Sequence, residues 1–278
     1  MKKEDGLPRR SAPRNDKKEN FPVAFFLMPK KIRTVISDYY AVARMADDIA
    51  DSPALSQSEK LEKLEELERG KYLSSQKLYE SFSQHNLSPA LVTDLFVAFR
   101  KDAQNDKYET WAELVNYCKY SAVPVGRFML AAFNENPAAQ LSSNSLCTAL
   151  QLINHLQDIK NDAMTLQRIY LPQDLMIKHG VSDADLTTEI SSSGLKNLIN
   201  ELLGNIRNLL KDAENMPQMI SSHSLRMDVF IILSLAKALV KKIETGDVLF
   251  RNIKLSRVDW LKSIVSGGLK STIYKRLT

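Results

Sequence analysis

Two stretches of this sequence are apolar on nearly every helical face yet carry a stripe of acids, and no other feature limits the fold so sharply. The first is ISDYYAVARMADDIAD, residues 36–51. Tyr40, Arg44, Asp47 and Asp51 follow at spacings of 4, 3 and 4, so they share one helical face. Asp48 is turned about 100° from Asp47. Three aspartates close this helix, where the macrodipole prefers cations, so an external cation would relieve them. The second stretch is ALQLINHLQDIKND, residues 149–162. Gln151, Asn154, Asp158 and Asp162 run at spacings of 3, 4 and 4, and leucine and isoleucine cover the other faces. A helix so clad is buried on most sides, and its polar stripe then needs partners or a water-filled space.

A single D-x-x-x-D pair is most often a solvated face. Two such pairs on two apolar helices point to pairing across a gap. Four converging carboxylates repel one another, and hard divalent cations with oxygen ligands relieve that repulsion. Mg²⁺ also keeps positions open for phosphate. The stripes hold no cysteine, and His155, the one nearby histidine, lies off the stripe, which argues against zinc. Between the acid helices, NYCKYSAVPVGRFML (116–130) places Ser121, Ala122 and Gly126 mid-helix, and Pro124 is expected to kink it. Close helix packing or room for a ligand both follow from such residues; beside two acid helices, a ligand channel is the better reading. Just past the second acid pair stands Arg168, suited to an anion held by metal.

The rest of the chain supports an all-helical reading. Only 9 glycines and 10 prolines occur in 278 residues, too few turn formers for a many-stranded β-sandwich. Helices are expected at 30–51, from a cap at Ser58 to Gly70, and at 88–104, 109–134, 142–165, 193–214, 222–245 and 256–275, with a loop over 168–180. Residues 1–18 are polar and are expected to form a disordered basic arm; residues 19–278 are expected to form one domain around a central cavity. No run of about 18 uncharged apolar residues is present to span a bilayer. The N-terminus lacks the apolar core of a signal peptide. Cys118 and Cys147 are expected to be reduced thiols in the cytoplasm.

These residues resemble the squalene/phytoene synthase family, which has the all-α isoprenoid-synthase fold. YAVARMADDIAD resembles its first acid motif, QLINHLQDIKNDAMTLQRIYLP its second, and YCKYSAVPVG the helix between them. The resemblance implies that Asp47, Asp51, Asp158 and Asp162 bind the Mg²⁺ that holds a diphosphate. It implies diphosphate or metal-bound water contacts for Arg44, Gln151, Asn154, Arg168 and Arg251. Tyr40 and Tyr117 would line the centre that bears the carbocation, and Phe21 and Phe25 would wall the prenyl pocket. Condensing members usually carry arginine where Gln157 stands, and serine near the run 19–23. These departures resemble the hydroxysqualene synthase branch of bacterial hopanoid pathways, which implies presqualene diphosphate as substrate. Head-to-head condensation of two prenyl diphosphates is the alternative, and a non-catalytic scaffold, which would be expected to lose its aspartates, the remote one. No glycine-rich dinucleotide fingerprint is present, so nicotinamide reduction is not expected.

The net charge of +5 is unevenly placed. Residues 1–20 carry +3 and residues 251–278 carry +6, which leaves −4 for the body. No basic motif with interleaved aromatics suggests nucleic acid. The C-terminal end mixes Trp260, Leu261, Ile264 and Leu269 with Lys262, Lys270, Lys275 and Arg276. Two readings of it stand side by side. One is a peripheral contact with the inner face of an anionic membrane; the other is an ordinary terminal helix packed on the domain.

Overall fold

The computed structural model describes residues 30–277, with side chains over 32–271. The expectations for the 1–18 arm and for Phe21 and Phe25 fall outside the described residues, as do the side chains of Lys275 and Arg276. Among the described residues the chain forms twelve α-helices and no β-strand: α1 (Lys30–Ala50), α2 (Gln57–Glu68), α3 (Leu73–Gln84), α4 (Ala90–Gln104), α5 (Trp111–Ser121), α6 (Val123–Ala132), α7 (Gln140–Asn161), α8 (Gln173–Lys178), α9 (Ser193–Ala213), α10 (Met216–Met219), α11 (His223–Thr245) and α12 (Arg257–Leu277).

Apolar periodicity explains the packing. On α1, Val35, Ile36, Tyr39, Val42, Ala46 and Ile49 form one stripe and are all buried against α3 and α4. On α9, Leu195, Leu198, Leu202, Ile206 and Leu210 do the same against α7. Each such side chain contributes about 1.5–3 kcal/mol when fully buried. Tyr39, Phe82 and Phe128 stack to join α1, α3 and α6, with Tyr39 and Phe128 ring centres 4.0 Å apart. α1 and α7, the two acid helices, have no broad contact with each other; each packs on α6 instead. Gly126 permits the α6–α7 approach, because a Cβ there would stand 2.6 Å from both Cys147 Sγ and Ser143 Oγ.

Four local expectations need correction. The cap of α2 is Ser56, not Ser58: its hydroxyl accepts from the Glu59 amide while Glu59 returns to the Ser56 amide, a capping box. The expected helix over 109–134 is two helices, broken at Ala122 (φ −128°, ψ −42°). The break falls there because Pro124 is disfavoured inside a helix but fits its first turn. Helix α3 was not expected, since two of its buried positions are Ser75 and Ser81, which interrupt the apolar period. The short α8 likewise lies within the expected loop. Both cysteines are free thiols.

Candidate active site

The first acid pair closes α1. Asp47 is 42% exposed yet crowded: partial burial, then the charge of Asp51, raises its carboxyl to about 6 against the pull of Arg44. Arg44 reaches Asp47 at 3.2 Å and Asp48 at 3.4 Å, and Asp48 faces solvent. Tyr40 is half-buried two turns earlier, its ring set edge-on to Tyr39.

Asp51 is held from the far end of the second acid motif. After α7 the chain makes one π-helical turn, Asp162–Leu166, and Gln167 then adopts a left-handed conformation (φ 55°, ψ 35°). The Arg168 amide donates back to the Asp162 carbonyl at 3.1 Å. This reversal sends the Arg168 side chain into the interior. Its Nη1 donates to Asp51 at 2.6 Å, its Nη2 to the Ala50 carbonyl at 2.9 Å, and its Nε to the Asp102 carbonyl at 2.9 Å. Ala50 and Asp102 lie in the last turns of α1 and α4, where helix carbonyls run short of donors; the Asp102 carbonyl also accepts from the Asn105 amide at 3.3 Å. One guanidinium therefore caps two helix ends and neutralises Asp51.

Behind this pair lies Asp102, which the sequence did not mark. It is buried, and burial raises its carboxyl to about 6 although Arg168 and two tyrosine hydroxyls oppose the shift. Tyr117 donates to both of its oxygens (3.0 and 2.9 Å), and Tyr170 donates to one (2.7 Å). Tyr108, Tyr117, Tyr170 and His155 pack their rings together, with His155 on Tyr170 at 3.9 Å. Burial lowers the His155 ring to about 3, so it is neutral at ordinary pH. Gln151 Nε2 lies 3.3 Å from His155 Nε2; an amide nitrogen can only donate, so that ring nitrogen accepts. His155, Asp162, Arg168 and Tyr170 also border a small cleft with room for about one water.

Of the remaining expected residues, Asn154 and Asp158 continue the α7 stripe and Arg251 stands apart. Asn154 is half-buried, and its side-chain oxygen has no hydrogen-bond partner. Asp158 is half-buried one turn further along α7. Gln157 is buried on another face, donating to the Ile253 carbonyl at 2.5 Å. Arg251 is exposed in the segment between α11 and α12. Arg168, Asp51, Tyr117, Gln151 and Asp162 thus belong to one connected region through Asp102 and His155. The roles of Asp102 and Tyr170 were missed because they reach each other across 68 residues; the one local sign was Tyr170 itself, inside the second motif.

The donor set fits a hard divalent cation. The stripe acids are all carboxylates, and the charge of Asp51 raises the cost of ionising Asp47 in a way that positive charge would relieve. Among the described residues no three histidine, cysteine or acidic side chains converge on one point. The acids stand as two pairs on separate helices. Mg²⁺ is commonly held in that way, by one or two carboxylates with water and substrate phosphate completing its shell.

The sequence profile of the squalene/phytoene synthase family matches residues 14–262. The hydroxysqualene synthase of Rhodopseudomonas palustris is 35% identical over 264 residues, covering 93% of this chain and 90% of that protein. The protein of the same name from Sinorhizobium fredii is 35% identical over 260 residues, covering 90% of this chain and 89% of its own length. The crystal structure of a squalene synthase from Alicyclobacillus acidocaldarius superposes with a TM-score of 0.70 at 27% identity, over 82% of this chain and 88% of that one. Fold and relatives together define an all-α enzyme of isoprenoid biosynthesis. The chain belongs to the squalene/phytoene synthase family.

Proposed function

We propose that this protein is a hydroxysqualene synthase of hopanoid biosynthesis, which ionises presqualene diphosphate and adds water to the rearranged carbocation, releasing hydroxysqualene and diphosphate. The observation that carries this reading is the 35% identity, spread over about nine-tenths of both chains, to proteins of that name. Gln157 supports it. A neutral amide, spent on the Ile253 carbonyl, stands where condensing members usually have a cation. One diphosphate to hold, rather than two, calls for less positive charge.

In this reading Asp47, Asp51, Asp158 and Asp162 would hold Mg²⁺, which when bound stabilises the negative charge of the departing diphosphate. Arg44, at the exposed edge of the site, would meet the diphosphate together with Gln151, Asn154 and Arg251. Arg168 would act one step back, because its buried guanidinium already engages each of its three nitrogens, with Asp51 and two carbonyls; it would fix where Asp51 presents its second oxygen. Tyr40 and Tyr117 would turn ring faces to the carbocation, stabilising it without donating a bond. His155 would serve the same end by remaining neutral, since a charged imidazole would repel the cation. No helix among the described residues is long and apolar enough to cross a membrane; we infer a cytoplasmic enzyme that meets its apolar substrate at the inner membrane face.

The test is to incubate the purified protein with Mg²⁺ and presqualene diphosphate and identify the lipid by mass spectrometry. Hydroxysqualene is expected. Its absence, or equally efficient conversion of farnesyl diphosphate alone, would replace this reading with head-to-head condensation or with none.

A further inference from the structure

Helix α12 is built inside out. Ser263, Gly267 and Ser271, at spacings of 4 and 4, face α11. Ser263 donates to Ser234 at 2.9 Å, and a Cβ on Gly267 would stand 2.7 Å from Ile231. Ser271 is fully buried. Small residues let the two helices approach closely, so the buried side of α12 needs no large apolar side chains. Those stand on the opposite side. Val258, Leu261, Val265 and Leu269 repeat at spacings of 3, 4 and 4, and each is between 53% and 64% exposed. Lys262, Ser266 and Lys270 border this row and share a shallow groove with it. An ordinary surface helix shows the reverse arrangement.

We propose that the outward face of α12, formed by Leu261, Val265 and Leu269 with Lys262 and Lys270 beside them, seats the protein on an anionic lipid surface. Charge selects this occupant. Residues 251–278 carry +6, and their single acid, Asp259, is engaged with the Ser256 amide at 2.7 Å and with Lys242 at 3.1 Å. Lys270 is in electrostatic reach of Glu214, but that carboxylate already pairs with Lys237 at 2.5 Å. The chain's own N-terminal arm is also basic, +3 over residues 1–20, and would be repelled from the lysines. A second copy would set one lysine row against another. An apolar row beside cations matches the boundary between acyl chains and anionic headgroups. The proposal rests on the hydroxysqualene synthase reading only for its purpose, since substrate and product of that reaction would both reside in the bilayer.

The experiment is flotation of the full-length protein with vesicles of phosphatidylcholine alone or with phosphatidylglycerol added. Binding is expected only with the anionic lipid and should weaken with salt. Lys262→Gln with Lys270→Gln should reduce partitioning about thirtyfold, each lysine near the surface being worth roughly fivefold. Leu261→Ser with Leu269→Ser should abolish flotation while leaving the thermal midpoint of the lipid-free protein unchanged. Three results would overturn the proposal: no flotation of the parent protein, flotation of both variants equal to that of the parent, or a lowered thermal midpoint of the leucine variant. The last would mean that the face is covered by the chain's own N-terminal segment or by a second copy, and sedimentation would separate these two. Turnover of detergent-dispersed presqualene diphosphate tests the reaction separately, so loss of flotation with intact turnover overturns the docking face alone.

Discussion

Replacing Arg168 by methionine should cost the fold far more than loss of a surface charge. Its side chain is 94% buried, pairs with an Asp51 side chain that is itself 13% exposed, and donates to carbonyls in the last turns of α1 and α4. Removing one partner of a buried pair typically costs 3–5 kcal/mol, because the other charge is left uncompensated. Water entering from the Asp47 side would recover a little for Asp51, and the Asp102 carbonyl keeps the Asn105 amide while the Ala50 carbonyl is left bare, so about 4 kcal/mol is expected. For a domain of this size that is a fall in Tm of roughly 10 °C. The double variant Arg168→Met, Asp51→Asn removes the orphaned charge and should recover about half of the loss. Urea unfolding of the four proteins of the cycle measures both quantities. Arg168→Lys adds a functional readout: it keeps the charge but loses the fork, so the Mg²⁺ concentration for half-maximal turnover should rise while KM for presqualene diphosphate stays nearly constant. A methionine variant within 1 kcal/mol of the parent protein, with additive effects in the cycle, would refute the reasoning. A rise confined to the substrate KM would instead place Arg168 directly on the diphosphate.

Other perturbations follow from the same geometry. Asp47→Asn or Asp158→Asn should each lower kcat by orders of magnitude with the fold intact by circular dichroism; near-normal turnover would refute their metal roles. Asp228 on α11 is buried with neither oxygen hydrogen-bonded, and burial raises its carboxyl to about 7. Its folded pKa lies above its unfolded one, so the protein loses stability as pH rises from about 4 through 7. Asp228→Asn should therefore raise Tm near pH 8 by the equivalent of about 2–4 kcal/mol, by less than half of that near pH 5, and change it little below pH 4. Gly126→Ala should cost about 1–3 kcal/mol in urea unfolding, because the new methyl would meet Cys147 and Ser143 at 2.6 Å.

The fold was legible where apolar residues kept a helical period, as on α1, α7 and α9. It was not legible where small or polar residues took buried positions. Ser75 and Ser81 hid α3, and the side of α12 that packs on α11 is serine and glycine, so its leucines mark the outside. At the site, the acids of both motifs stood out because carboxylates are out of place on apolar helices. Arg168 was identified as an anion-binding group, but its partners are 66 to 118 residues away, and only the structure shows that it engages Asp51 and two helix ends. Asp102 is the clearest omission. In FVAFRKDAQ it resembles any polar residue near a helix end, and its significance comes from Tyr117 and Tyr170, which reach it from two other elements.

The central claim is that the carbon–oxygen bond to diphosphate ionises and that water then captures the carbocation. It is tested most directly by running presqualene diphosphate turnover in water enriched in heavy oxygen. Hydroxysqualene is expected to carry one heavy oxygen in its hydroxyl and to be released with unlabelled diphosphate. Label in the diphosphate would contradict the claim, because water would then have attacked phosphorus; an unoxygenated hydrocarbon would contradict it as well.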